Sequence, residues 1–595
     1  MKKLFTLFAL AVFTLSFTAC GKAKDNANQT NSGGNSVTTT TETKFKAGTY
    51  EGTAKGFGGD VVATVVLSDD KIEEITVVGD SETQGIGSVA IETLPAKMVD
   101  TQSVQVDTVS GATVTSNAII EAVTKALESA GVDVSTLVPV KKEVTSKTEE
   151  TLEYDVVVVG GGGAGMTAAI ELKNAGLNVV ILEKMPMLGG NTVKATGGMN
   201  AAETSVQEKF GVEDTVEQFV EDTMNGGHNI NNIDLVRTLA ENSAEAINWL
   251  ETIGAPLPEL TFSGGATNKR LHRPENGAAV GSYLVDIYSK TLEDLAIDIM
   301  LNTKATEILM DNGKAVGVKA EAENANYTIN AKAVILATGG FGANEEMYAK
   351  YRPELAGYVT TNAPGATGDG IIMAEAVGAN LVDMEQIQTH PTVEQTTSIM
   401  ITEGVRGEGA ILVNQAGKRF IDEMETRDVV SDAIVKQEGS YAYILFDQAL
   451  RNRLSAIEKY VSSGITVQAN TVEELAGLIN VEPTALADTI KVWNEAVAAK
   501  NDTEFNRATG MDYDLSQGPY YAIKIAPGVH HTMGGLEINT EAEVIGKDGN
   551  AIPGLFAAGE VTGGIHGGNR IGGNAVADIV VFGRIAAKSA INYCK

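Results

Sequence analysis

Tyr154-Asp155-Val156-Val157-Val158-Val159-Gly160-Gly161-Gly162-Gly163-Ala164-Gly165 is the stretch on which the fold of this chain turns. An unbroken valine run that ends in glycines reads as a strand buried on both faces. Gly160, Gly162 and Gly165 fit G-x-G-x-x-G, and a helical pattern, Met166 to Asn174, follows at once. Glycines there let backbone approach a pyrophosphate, while the helix start offers free amides and the positive end of a dipole. A second strand, Asn178 to Glu183, ends in Glu183, where an acid would bind ribose hydroxyls. The expectation is a nucleotide-binding βαβ unit rather than a bare glycine turn.

Further glycine clusters narrow the nucleotide to FAD. They are Gly189-Gly190-Asn191, Gly197-Gly198-Met199-Asn200, Ala337-Thr338-Gly339-Gly340, Thr367-Gly368-Asp369-Gly370, Gly559-Glu560 and Gly572-Gly573-Asn574. A long FAD molecule needs contacts from many segments, whereas NAD sites mostly stay within one βαβ unit. Gly190, Asn191, Gly198, Gly339, Asp369, Glu560 and Asn574 are the candidate contacts beyond the first motif.

Ala333 to Ala337 and Gly554 to Ala558 are again buried-strand runs ending in glycine turns. A chain that returns to its nucleotide fold after so long an excursion carries an inserted domain. The expected division is 153–384 and 530–595 for the nucleotide fold, with 385–529 inserted. Upstream, 45–131 reads as a small α+β unit with strands Val61 to Leu67 and Ile72 to Val78 and a helix from about Ser116 to Ala130. Polar linkers, 21–44 and 132–152, flank it.

Residues 1–20 have the form of an export signal: Lys2 and Lys3, an apolar run from Leu4 to Phe17, then Thr18-Ala19 before Cys20. The run is too short for a comfortable bilayer span. Cys20 followed by Gly21 resembles a lipoprotein processing site, which implies an extracytoplasmic protein lipid-anchored through Cys20, with plain secretion as the alternative. No later segment is long and apolar enough to cross a membrane.

Lys plus Arg number 45 against 77 Asp plus Glu, a formal net charge of -32. So acidic a chain excludes nucleic acid as a partner, since phosphate binding needs a basic stripe. Cys20 and Cys594 are the only cysteines, too few for a haem attachment motif or an iron-sulfur cluster. Electrons must then move on organic cofactors, and no metal site is expected.

Against that acidic background, four stretches gather the groups that grip a small dicarboxylate. They are Gln388-Thr389-His390-Pro391-Thr392, Met400-Ile401-Thr402-Glu403-Gly404-Val405-Arg406, Thr426-Arg427-Asp428, and His530-His531 with Arg570. With the flavin motifs, they make the chain from Tyr154 onward resemble the soluble, flavocytochrome c-type fumarate reductases of the succinate dehydrogenase/fumarate reductase family. The resemblance implies an α/β doubly wound, Rossmann-like FAD domain with an inserted α+β clamp domain. It implies that Arg570 and His531 hold one substrate carboxylate, with His390 and Thr402 at the other and Met400 beside them. It also implies that Arg427 donates the proton, resupplied through Glu403 and Arg406. Membrane-complex relatives bond FAD to a histidine after the early glycine pair. Here Gly189-Gly190 leads into Asn191-Thr192, which implies noncovalent FAD. His530 reads as a supporting residue; His228, His272 and His566 receive no role.

Asp107-Thr108-Val109-Ser110-Gly111-Ala112-Thr113 resembles the acceptor motif of FMN-binding domains, as does Gly48-Thr49-Tyr50-Glu51-Gly52 the start of such a domain. The resemblance implies one covalent FMN on Thr113 and a flavin transferase as partner. The bland alternative is a turn capping a helix at Ser116. The function expected is reduction of the C=C bond of fumarate to succinate, with electrons from a membrane or extracellular donor. Urocanate or another unsaturated carboxylate is the alternative substrate. Gly404 and the carboxylate-binding groups at both ends favour a dicarboxylate. A flavin electron carrier without a substrate is the third reading; a proton relay would have no use there.

Overall fold

The valine run lies in the middle of a parallel sheet. In the computed structural model, which describes residues 45–82, 87–109, 112–139 and 147–595, the strand Thr148–Val159 runs between Ala325–Leu336 and Val179–Leu182, parallel to both. Asp298–Met300 continues the sheet on one side. Ala551–Ala557 pairs in parallel with the C-terminal end of Ala325–Leu336, so the chain's late return closes the nucleotide fold. The expected export signal, Cys20 and the expected first linker lie outside the described residues, as do Ser110 and Gly111 of the threonine motif.

Val156, Val157 and Val158 are fully buried. The helix Gly163–Asn174 covers one face and packs along the C-terminal helix Asn574–Cys594. The turn between strand and helix requires glycine at two places. Gly160 has φ +111, and a Cβ on Gly165 would sit 1.9 Å from the Gly160 carbonyl oxygen. Any side chain there would push helix and strand apart.

The strand begins six residues before Tyr154, inside the stretch 132–152 expected to be linker. Thr148 to Glu153 carry no apolar alternation because both of their faces are largely solvated, yet their backbone pairs in register with Ala325 to Asn330. The same linker is shortened at its other end. Val134–Thr136 form a 3-10 turn, and Leu137 is buried in the small domain, its carbonyl accepting from Ser103 Oγ at 2.5 Å.

That small domain is an antiparallel sheet of Gly48–Lys55, Asp60–Leu67 and Ile72–Val78, covered by the helices Gly87–Thr101 and Thr113–Ser129. The first strand and the first helix are elements the sequence pattern does not announce. The helix carries Pro95, which weakens its signal, although Ala90, Leu94 and Met98 fall on one buried face.

The inserted domain has its own antiparallel sheet, Ile387–Val393, Tyr520–Thr532, Ala442–Asp447 and Ile411–Val413, flanked by helices that include Arg427–Val435 and Pro483–Ala499. Tyr520–Thr532 runs unbroken through the expected boundary at 529/530. The boundary is therefore a position along one strand, and His530 and His531 stand where that strand leaves the inserted sheet for the FAD domain.

Candidate active site

The cofactor cradle is built on backbone. Gly161 N donates to Glu183 Oε2 at 2.8 Å and Met185 N to Glu183 Oε1 at 2.8 Å, so Glu183 braces the glycine turn from the end of its strand. Burial pushes its carboxyl up, against those two bonds. Gly162 and Gly190 face open space: a Cβ on either would meet no atom nearer than 3.8 Å. Close by in sequence to Gly339, the Thr338 hydroxyl is buried with no hydrogen-bond partner among the described residues. An open glycine cradle with an unpaired hydroxyl fits a bound dinucleotide flavin.

Asn191 ties three segments together. Its Nδ2 donates to Glu560 Oε2 at 2.9 Å and Asn362 Oδ1 at 2.7 Å, and its Oδ1 accepts from Ala363 N. Asp369, at the start of the helix Asp369–Ala376, is ion-paired to Lys184 at 2.6 Å, next to Glu183. Asn574 is buried and bonded to Asn200 and Thr223, and Gly198 lies hard against the His272 carbonyl. Those two build the walls of the cradle through packing.

The residues expected to grip the substrate converge from the inserted domain and the last loop. Arg427 opens the helix Arg427–Val435, and its Nε donates to Glu403 Oε1 at 2.5 Å. Arg406 Nη2 lies 3.9 Å from the same carboxylate oxygen. Burial alone would raise Glu403, but Arg427, Arg406 and Arg570 outweigh it and hold the carboxyl at about 2. Arg427 Nη1 and Arg570 Nη2 both donate to Gln388 Oε1, at 2.9 and 3.2 Å. Gln388 Nε2 donates in turn to Asn569 Oδ1 and the Arg570 carbonyl. One neutral amide thus separates two guanidinium groups. Burial drags Arg570 down to about 9, with Arg427 adding repulsion.

Gln388 stands in the first substrate stretch without a role of its own in the sequence. Its signal is its position two residues before His390 on one strand, which puts both side chains on the same face. Asn569 and Tyr460 were missed outright. Tyr460 OH accepts from Thr402 N at 2.9 Å and so fixes the turn that starts the short helix Glu403–Gly407.

His531 is buried between Glu560, 3.5 Å from its Nδ1, and His566, and its Nε2 has no partner among the described residues. His390 is buried edge-on to His530, ring centres 5.2 Å apart, and His530 Nδ1 lies 2.7 Å from Thr361 Oγ1. Burial holds all three rings well below the usual histidine range, and neighbouring arginines add to it. That favours the neutral form of each ring. Met400 and Thr402 follow on the segment bridged to Val393, on the inserted-domain side; the Thr402 hydroxyl makes no hydrogen bond among the described residues.

Thr113 is exposed in the first turn of its helix, its hydroxyl without a hydrogen bond among the described residues. Ser116, the alternative cap, lies inside that helix. From there its Oγ accepts from Val109 N at 3.0 Å and ties Val109 to the helix. Thr115 Oγ1 and Gly58 N both bond to Glu82, which draws the Phe57 loop toward the same helix end. Phe57 reaches the inserted domain, its ring centre 5.0 Å from Lys459 Nζ, and Met187 of the FAD domain packs on the small domain's core.

The fold and these sites define a flavin-dependent oxidoreductase acting on CH–CH groups. Residues 155–576 match the family model described as FAD binding domain, and residues 56–128 match that of the FMN-binding domain. The chain is 44% identical over 550 residues to the NADH:fumarate oxidoreductase of Klebsiella pneumoniae (strain 342), covering 92% of this chain and 59% of that protein. It is 46% identical over 443 residues to the fumarate reductase (cytochrome) of Shewanella frigidimarina, covering 74% of this chain and 77% of the other. A urocanate reductase of Eggerthella lenta is 38% identical across 91% of this chain and 92% of its own length. The open conformation of a flavocytochrome c3 fumarate reductase superposes with TM-score 0.66 at 46% identity, over 74% of this chain and 79% of that one. The chain belongs to the fumarate reductase flavoprotein family, with an FMN-binding domain ahead of its FAD-binding domain.

Proposed function

We propose that this protein reduces the C=C bond of fumarate to give succinate, drawing electrons through an FMN held covalently on Thr113. One observation carries the substrate class. Three buried or half-buried arginines, Arg406, Arg427 and Arg570, gather at Glu403 and Gln388, with Glu560 and Asp578 the further carboxylates that act on Arg570. The Nε groups of Arg406 and Arg570 and the Nε2 of His531 are buried without partners among the described residues. The unpartnered guanidinium N–H groups call for an anion that brings acceptors, and a dicarboxylate brings four oxygens.

Gly160, Gly162, Gly165, Gly190 and Asn191 would hold FAD noncovalently, and the reduced flavin would supply hydride chemistry for the double bond. The chain's own residues do the rest. Arg570 and His531 grip one carboxylate; His390 and Thr402, with Met400 beside them, orient the other and exclude water. Arg427 delivers a proton to the second carbon from its guanidinium. Arginine holds its proton tightly in water, so the transfer needs a dry site and immediate resupply. Glu403, bonded to Arg427 and 3.9 Å from Arg406, is placed to pass that proton on.

Urocanate is the second reading, supported by the relative whose length this chain matches almost end to end. Urocanate would replace one carboxylate by an imidazole. Against it, a side chain placed on Gly404 would meet apolar carbons of Leu454 and Thr402, 3.8 Å from its Cβ, and the nearby acid, Glu403, is engaged by Arg427. A substrate-free electron carrier would leave the Arg427–Glu403–Arg406 array idle. Export and lipid anchoring at Cys20, a flavin transferase acting on Thr113, and a membrane or extracellular electron donor complete the proposal.

The test is anaerobic oxidation of a reduced low-potential dye by the purified, doubly flavinated protein, with fumarate, urocanate and other enoates. Fast turnover on fumarate, lost in Arg427→Ala, supports the proposal. Turnover on another acid but not on fumarate overturns the substrate, and none on any enoate leaves the carrier reading.

A further inference from the structure

His228 received no role from the sequence, yet the structure makes it a joint between the two bodies that form the site. It follows the helix Val216–Gly226 of the FAD domain and has φ +60, with Asn229 at φ +58. Two successive left-handed residues other than glycine are costly backbone, held here by His228 N to Asn225 O and Asn229 N to Met224 O. That turn aims the imidazole across the cleft. Its Nε2 lies 3.1 Å from Oδ2 of Asp428, the residue after Arg427 on the inserted domain. The other Asp428 oxygen, Oδ1, is buried with no partner among the described residues, so His228 is the hydrogen-bond partner this carboxylate has.

The ring also rests on the loop that carries Arg570. A Cβ on Gly568 would come within 2.7 Å of His228 Cδ2, and Gly568 N donates to the Gly227 carbonyl at 2.8 Å. Asn569 Nδ2 donates to the Gly226 carbonyl, and the Oδ1 of Asn569 accepts from Gln388. One turn therefore holds the loop leading to Arg570 from below and reaches the helix bearing Arg427 from the side.

We infer that His228 is a positioning residue that latches the Arg427 helix to the Arg570 loop and so fixes the spacing of the two arginines across the substrate. The inference rests on the reading of the site as an enoate reductase. The pair is half exposed, and such pairs contribute little to global stability. The latch acts on the alignment of Arg427, and a small shift in alignment costs turnover rather than folding.

The test compares wild type, His228→Ala, His228→Gln and Gly568→Ala by two measurements. The first is steady-state fumarate reduction with reduced dye; the second is deuterium exchange of the helix Arg427–Val435. His228→Ala is expected to lower kcat about fivefold, the range of one exposed pair, while KM moves by less than about twofold. The helix amides should exchange faster. His228→Gln, whose amide can still donate to Asp428, should recover most of the loss, and Gly568→Ala, which displaces the ring, should reproduce it. Unchanged kcat and exchange in His228→Ala would overturn the latch, and so would a glutamine variant as impaired as the alanine one. If wild type reduces no enoate, the proposed function fails and exchange alone decides: faster exchange in His228→Ala keeps the latch, and equal exchange removes it.

Discussion

Two arginine–carboxylate clusters stand next to each other in the inserted domain, joined where Arg406 Nη1 donates to the Glu423 carbonyl and Arg507 Nη2 to the Arg406 carbonyl. Around Glu423, the charges balance. Arg419 grips it with two bonds of 2.8 Å, Arg507 adds one of 2.9 Å, and Asp502 answers Arg419 at 2.9 Å. Both guanidinium groups stack on the buried Trp493 ring. Around Glu403 one carboxylate is shared by Arg427 and Arg406, and a neutral Gln388 keeps Arg427 and Arg570 apart. The knot pairs each arginine with a carboxylate of its own, though Arg419 Nη1 lacks a hydrogen bond among the described residues, whereas Glu403 is shared by Arg427 and Arg406, the arrangement proposed above to bind an anion.

The contrast can be broken by experiment. Arg427→Ala should cost about 10³-fold in kcat, the range for removing a general acid, with little change in the urea midpoint. Dye-coupled turnover beside equilibrium unfolding checks both halves. Glu423→Ala should do the reverse. Stranding Arg419 and Arg507 should destabilise the inserted domain by about 3–5 kcal/mol, read by urea unfolding, while the folded fraction keeps its kcat. If Glu423→Ala lost turnover without losing stability, the division between the clusters would fall.

Gln388→Leu sharpens the comparison from the middle. Removing an amide bonded to two cations should raise KM for fumarate by about 10-fold or more, with a smaller effect on kcat. The smallest effect concerns acid stability. Glu403 is held at about 2, below its ordinary 4.5, so its contribution is fully present above pH 4.5 and is lost as pH falls through about 2. Glu403→Gln should flatten the stability profile within that window alone, as measured by urea midpoints at stepped pH.

The sequence exposed what is local or repeated in type. The valine run with its glycine turn announced the central strand and helix, because a strand buried on both faces leaves an unbroken apolar signature. Thr148 to Glu153 stayed hidden, since a strand end with solvated faces differs from linker only in its hydrogen bonds. The arginines and histidines of the site were legible through family resemblance. Gln388 was passed over, as a neutral amide gains meaning only once Arg427 and Arg570, 39 and 182 residues away along the chain, are seen to meet on it. The Glu423 knot was invisible for the same reason: Arg419 has its carboxylate four residues away, but Arg507 and Asp502 arrive from the far side of the domain.

The arginine cluster has a further consequence for the timing of encounters. For the dianion proposed as substrate, a net charge of -32 repels at long range, and only the arginines of the site attract it at short range. Salt screens the first over about 8–10 Å and scarcely reaches the second. Moderate ionic strength should therefore quicken arrival while leaving the grip largely intact. That is the opposite of the salt response of an enzyme whose whole surface draws its substrate in.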